Sequence, residues 1–80
     1  MSVPVLLFAS YAEAFGTREL PVPVEAPCQV QALIDALRVM PGGERLPSRV
    51  LVAVNQRLVD TSSAVQPGDE VALIPPVAGG

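Results

Sequence analysis

Residues 30–38 read VQALIDALR, with Val30, Leu33, Ile34 and Leu37 spaced i, i+3, i+4 and i+7. That spacing lines four apolar side chains along one face of a helix and leaves Gln31, Asp35 and Arg38 for the other faces. Arg38 near the end suits the negative pole of the helix dipole. Pro41 places the stop at residues 39–40. The start is less marked, because Pro27, Cys28 and Gln29 are none of the favoured capping residues. One amphipathic helix cannot bury its own face, so its flanks decide the architecture.

Upstream, residues 3–8 predict a strand with two interleaved apolar rows, and Val5 and Leu7 are core candidates on one of them. Residues 10–16 predict a short helix. Ser10 stands three residues before Glu13, the spacing of a capping box, and Gly16 closes the last turn. Residues 18–24 alternate Leu20, Val22 and Val24 with Pro21 and Pro23. Proline cannot donate to a ladder, so this strand belongs at an edge.

Downstream, residues 40–48 are a loop by their Pro and Gly content, with Gly42-Gly43 as a flexible connection. Residues 50–54 are the most β-prone run, with Val50, Val52 and Val54 in phase. Asn55-Gln56 is a turn, followed by a short strand at residues 58–59. Pro67-Gly68 fits the centre of a type II turn. A last strand spans residues 70–74 and stops at Pro75-Pro76. One main helix between pairs of strands implies an α+β domain: a mixed sheet with that helix packed across it, the β-grasp (ubiquitin-like) fold. Residues 1–74 form the expected domain and residues 75–80 an extended, flexible tail.

Composition removes several functions. The chain has 80 residues and a formal charge of −3, which leaves no room for a second domain. The acidic balance argues against nucleic-acid binding. There is no histidine, hence no imidazole base and no His-ligated metal. A single cysteine excludes an intrachain disulfide. No apolar run approaches the roughly 18 residues of a membrane span, and the first ten residues lack the basic leader of a signal peptide. No nucleic acid, membrane, metal or bound cofactor is expected, and a cytoplasmic location is. Half of the residues are hydrophobic and 16% charged, which points to an apolar surface that a partner covers.

The acids are scattered, and adjacent Asp69 and Glu70 point to opposite faces of a strand, so no acid–base pair is expected. Cys28 reads as a half-buried small apolar residue. Phe8, Leu58 and Ile74 stand outside the core set, Phe8 and Ile74 by their phase, and mark a partner patch. The tail differs in kind from an ordinary chain end. Pro75-Pro76 favours an extended segment, and six residues from Pro75 reach roughly 20 Å. Gly79 and Gly80 carry no side chains, so the end can thread a narrow channel and offer its carboxylate to attack.

VLLFAS (5–10), AVNQRLV (53–59) and GDEVALIPPVAGG (68–80) together resemble the small subunits of molybdopterin synthase, ubiquitin-like sulfur carriers. The likeness runs the length of the chain, and its last block is the most specific, since the related thiamine-pathway carriers usually lack the double proline in that form. It implies that Gly80, behind Gly79, is adenylated with ATP by an adenylyltransferase and converted by a sulfurylase to a thiocarboxylate. It implies docking on the synthase large subunit through Phe8, Leu58 and Ile74, in a hetero-oligomer of heterotetramer type. Pro75, Pro76, Val77 and Ala78 then lie on the tail inserted into that subunit. There the sulfur passes to cyclic pyranopterin monophosphate, and two charged carriers serve one dithiolene. The small subunit is not catalytic alone. Two departures stand out: Ala12 where many members have arginine, and Gln29 in place of Ser or Thr at the helix start.

Three alternatives remain open: a thiamine-pathway sulfur carrier, a ubiquitin-like protein modifier, and a binding module whose tail is irrelevant. All five basic residues are arginine, so the chain cannot form lysine-linked polymers of itself.

Overall fold

The computed structural model describes residues 2–75. In chain order these form β1 (Val3–Leu6), α1 (Ala9–Phe15), β2 (Glu19–Val22), β3 (Cys28–Gln29) and α2 (Val30–Arg38). A 3₁₀ turn (Gly43–Arg45) precedes β4 (Leu51–Val54), β5 (Arg57–Val59), β6 (Ala64–Val65) and β7 (Val71–Ile74). Five strands make one sheet in the order β2-β1-β7-β4-β5. β1 and β7 are parallel at its centre, and the other neighbours are antiparallel. A parallel pair cannot be joined by a hairpin, and α2 lies in the long connection between them. This is the β-grasp arrangement that the order of elements implies. Of the expected tail, residues 76–80 lie outside the described residues.

The core forms where the alternations meet the helix. Val30, Leu33, Ile34 and Leu37 of α2 are all buried, against Val3, Val5, Val52, Val71 and Leu73 of the sheet. Each contributes about 1.5–3 kcal/mol of transfer free energy relative to exposure. β2 is an edge strand, and its Pro21 is exposed opposite Pro4 of β1.

Two expectations are corrected. The residue that caps α1 is Phe8, which makes no side-chain cap bond, so Ser10 and Glu13 form no capping box. The chain turns into the helix at Ala9, whose φ of +48° lies in the left-handed region. Ser10 is thereby inside the helix, too late to cap it. Gly16 does close α1, with φ +75° and its N–H donating to the Ala12 carbonyl.

Gly42-Gly43 is a tight junction rather than a loose connection. Gly43 is buried, and a Cβ there would collide with the Leu37 and Arg38 carbonyls that end α2. At Gly42, with φ +100°, a Cβ would collide with the Ala14 carbonyl of α1. Only glycine lets the chain pass between the two helix ends.

The start of α2 is built from outside the helix. Gln29 makes no side-chain cap bond. Instead the Val30 N–H donates to the Ser63 carbonyl and the Gln31 N–H to the Thr61 carbonyl, both at 2.9 Å. Two of the donors that a helix start leaves unpaired are thus satisfied by a distant loop. That loop is held by a second small sheet that the sequence reading lacked, with Cys28 opposite Val65 and Gln29 opposite Ala64.

Candidate functional site

β7 is the middle strand, so its exit defines the surface around the chain end. Val71 and Leu73 face the helix, which leaves Ala72 and Ile74 on the open side. The register then assembles a row across four strands. Ala72 stands opposite Leu6 of β1 on one side and Ala53 of β4 on the other, and Ala53 stands opposite Leu58 of β5. Two alanines form a low floor between larger walls. The next row toward the exit pairs Ile74 with Leu51.

The result is an apolar groove of about 510 Å³ lined by Leu6, Phe8, Ala53, Leu58, Ala72 and Ile74, with Gln56 and Glu70 at its far end. Leu58 is 65% exposed, Phe8 49% and Leu51 46%. These values are high for large apolar side chains sharing one surface. The three residues singled out as a partner patch, Phe8, Leu58 and Ile74, therefore lie together. Ile74 is half-buried rather than exposed. Beyond the groove, at the exit, lies a smaller depression lined by Tyr11, Pro47, Arg49, Leu51 and Ile74. Ile74 belongs to both, and Pro75 follows it, half-buried. Gly79, Gly80 and the tail residues Pro76, Val77 and Ala78 lie outside the described residues.

Leu6, Leu51, Ala53 and Ala72 escaped the sequence reading. The signal was there. If Val50, Val52 and Val54 face the core, Leu51 and Ala53 must face away, and the same complement in the last strand gives Ala72.

The far end of the groove is held by polar bonds between two turns. Asn55 and Gln56 join β4 to β5 with φ of +53° and +69°, the backbone of a two-residue hairpin turn. Asn55 donates from its side-chain nitrogen to Asp69 Oδ1 at 3.1 Å and accepts the Glu70 N–H at 3.0 Å. Asp69 Oδ2 accepts the Gln66 N–H at 2.8 Å. The Asp69 carboxyl is held below its ordinary range, first by the Gln66 N–H and then by Asn55. Asp69 thus acts as a turn cap, and Gly68, with φ +88°, completes the turn that admits β7.

Cys28 is half-buried against the core, and burial pushes its thiol up, away from the reactive thiolate. Burial also pushes the Tyr11 phenol up, against a smaller opposing pull from Arg38. Among the described residues, no three His, Cys, Asp or Glu side chains gather to hold a metal ion. No described helix is long and apolar enough to cross a membrane.

The sequence profile of the ThiS family matches residues 5–80. The chain is 37% identical over 81 residues to the molybdopterin synthase sulfur carrier subunit of Escherichia coli K12, covering 98% of this chain and 99% of that one. Among solved structures it is similar to SAMP1 from Haloferax volcanii, with a TM-score of 0.80, 34% identity and full coverage of both chains. It is also similar, with a TM-score of 0.71, 25% identity and full coverage of both chains, to a chain in the complex of subunits 1 and 2 of molybdopterin-converting factor from Helicobacter pylori 26695.

Proposed function

The chain belongs to the ThiS family, and from that premise we propose that Gly80 is its reacting end and the open sheet face its docking surface. The protein is a non-catalytic sulfur-carrier subunit of molybdenum cofactor biosynthesis, homologous to the sulfur carriers of molybdopterin synthase. It partners a synthase-type large subunit.

The observation that carries the docking surface is the convergence of Phe8, Leu58 and Ile74 on one helix-free face, at the point where the central strand leaves the sheet. A large apolar surface there, continuous with the root of the tail, lets one partner hold the body and receive the end together. The chemistry then follows from the carboxylate. Carboxylate is a poor electrophile, so the Gly80 oxygen first attacks the α-phosphorus of ATP in an adenylyltransferase, and pyrophosphate leaves. A sulfur nucleophile adds to the acyl carbon, AMP leaves, and a thiocarboxylate remains. On the large subunit that sulfur passes to cyclic pyranopterin monophosphate. Acids, bases and substrate-binding cations come from the partner, which suits a chain without histidine. These steps take place in the cytoplasm.

A second reading is favoured by one comparison. The Haloferax volcanii relative is by name a small archaeal modifier protein, 35% identical over 83 residues. As a modifier, this chain would join its Gly80 to amines of other proteins, and its lack of lysine would prevent lysine-linked chains of itself.

The test is a variant with one alanine appended after Gly80, assayed for pterin sulfuration with the large subunit and the activating system. The carrier reading expects complete loss of sulfuration with unchanged thermal unfolding and unchanged binding to the large subunit. Retained sulfuration contradicts it. Bands of Gly80 conjugates on other proteins, lost in the same variant, identify the modifier reading.

A further inference from the structure

Three described non-glycine residues have a left-handed backbone: Ala9, Asn55 and Gln56, with φ of +48°, +53° and +69°. Residues held against their preference in this way collect at binding sites. Here they flank the open face of the sheet. Ala9 follows directly on Phe8, and Asn55 precedes the Gln56 that lines the far end of the apolar groove.

The two turn residues hold their conformation on different terms. Asparagine enters the left-handed region more readily than most side chains, and Asn55 is tied down three times. Its N–H donates to the Glu70 carbonyl at 2.7 Å, its side-chain oxygen accepts the Glu70 N–H, and its side-chain nitrogen donates to Asp69. Gln56 has neither advantage. Two-residue hairpin turns with both φ values positive favour Asn-Gly, so the fold alone calls for glycine at this position. Gln56 is exposed, and among the described residues no bond engages its amide.

Apart from Gln56 and Glu70, the side chains that line the groove are apolar. A carboxylate such as Glu70 only accepts hydrogen bonds, whereas a glutamine amide also donates. Arg57, next in sequence, falls on the helix side of β5 opposite the buried Val54, because Leu58 faces the groove. Gln56 is therefore the one side-chain donor that lines this groove among the described residues.

We propose that Gln56 is a binding residue for the synthase large subunit: its Nε2 donates to an uncharged acceptor oxygen, a backbone carbonyl, on the segment of that subunit that fills the groove. This rests on the sulfur-carrier reading. Apolar walls supply contact area but leave a partner free to slide along them, and a polar bond at one end fixes its position. Ile74 and the root of the tail lie at the groove's other end, so a partner registered on Gln56 has the chain end placed at its opening.

The test is titration calorimetry of the intact carrier against the purified large subunit, with thermal unfolding of each variant. Gln56→Gly removes the side chain and the strain. Gln56→Ala removes the amide and keeps the strain. Gln56→Met keeps the length without a donor. All three are expected to bind about three- to tenfold more weakly, as the loss of one hydrogen bond implies. Gln56→Gly is expected at the same time to melt about 2–5 °C above wild type. Affinity and stability then move in opposite directions, which a merely structural residue would not produce. Wild-type affinity in Gln56→Ala or Gln56→Met overturns the proposal, as does a Gln56→Gly that melts below wild type. If wild type does not bind the large subunit, the carrier reading falls and this contact with it. If wild type binds and Leu58→Ala weakens binding while the Gln56 variants do not, only this contact falls.

Discussion

Two leucines separate what holds the fold from what the fold presents. Leu37 is fully buried in α2, while Leu58 on β5 is 65% exposed and walls the apolar groove. The same truncation to alanine should affect different properties at the two sites. At Leu37 the lost contacts and the cavity cost about 2–5 kcal/mol. A domain of this size moves roughly 4–8 °C per kcal/mol, so Leu37→Ala should lower the melting temperature by about 10 °C or more. At Leu58 only about a third of the side chain is buried on folding, so Leu58→Ala should cost about 0.5–1 kcal/mol of stability. Docking through this face would bury the remaining two thirds, worth about 1–2 kcal/mol, or about 5–30-fold in Kd. Thermal unfolding gives the first quantity, and titration calorimetry against the synthase large subunit gives the second. Unchanged affinity in Leu58→Ala, or a stability loss matching that of Leu37→Ala, would refute the assignment of this face to a partner.

Other perturbations test separate parts of the structure. Gly43→Ala drives a Cβ into the Leu37 and Arg38 carbonyls, so the variant should melt well below wild type, as followed by circular dichroism. Ala9→Gly relieves a left-handed backbone at φ +48° and should raise the denaturant midpoint by an amount equivalent to about 1 kcal/mol. Asp69 has its folded pKa lowered, so its contribution is present above the unfolded value near 3.9 and is lost as pH falls through the folded value. Urea unfolding of Asp69→Asn between about pH 6 and pH 2 should accordingly show a shallower acid loss than wild type.

The periodic parts of this molecule were legible because burial and geometry agree in them. α2, β1, β4 and β7 each put their in-phase apolar residues into the core, and prolines marked the edge strand β2. The parts that escaped are set by contacts between segments distant in sequence. Two-residue strands such as Cys28–Gln29 and Ala64–Val65 are too short to show a period. Their pairing fixes the loop whose carbonyls begin α2, so a helix without a capping residue starts cleanly. Ser10 and Glu13 had capping-box spacing, but the left-handed residue at Ala9 starts the helix earlier. The Gly42-Gly43 pair looked loose because the two helix ends that crowd it are far apart in the chain. At the candidate site, Phe8 and Ile74 stood out by phase, and Leu58 stood outside the core set. The alanine floor between them did not, since Ala53 and Ala72 acquire meaning only once the register sets them opposite one another.

Sulfur is expected to enter this protein at the carbonyl of Gly80. Intact-mass spectrometry with C-terminal fragmentation, after incubation with the adenylyltransferase, ATP and a sulfur source, tests it most directly. The expected product has one oxygen replaced by one sulfur, localised to Gly80, and does not form when ATP is omitted. A Gly80 that stays an ordinary carboxylate under conditions that charge an authentic carrier, or a sulfur found instead on Cys28, would contradict it.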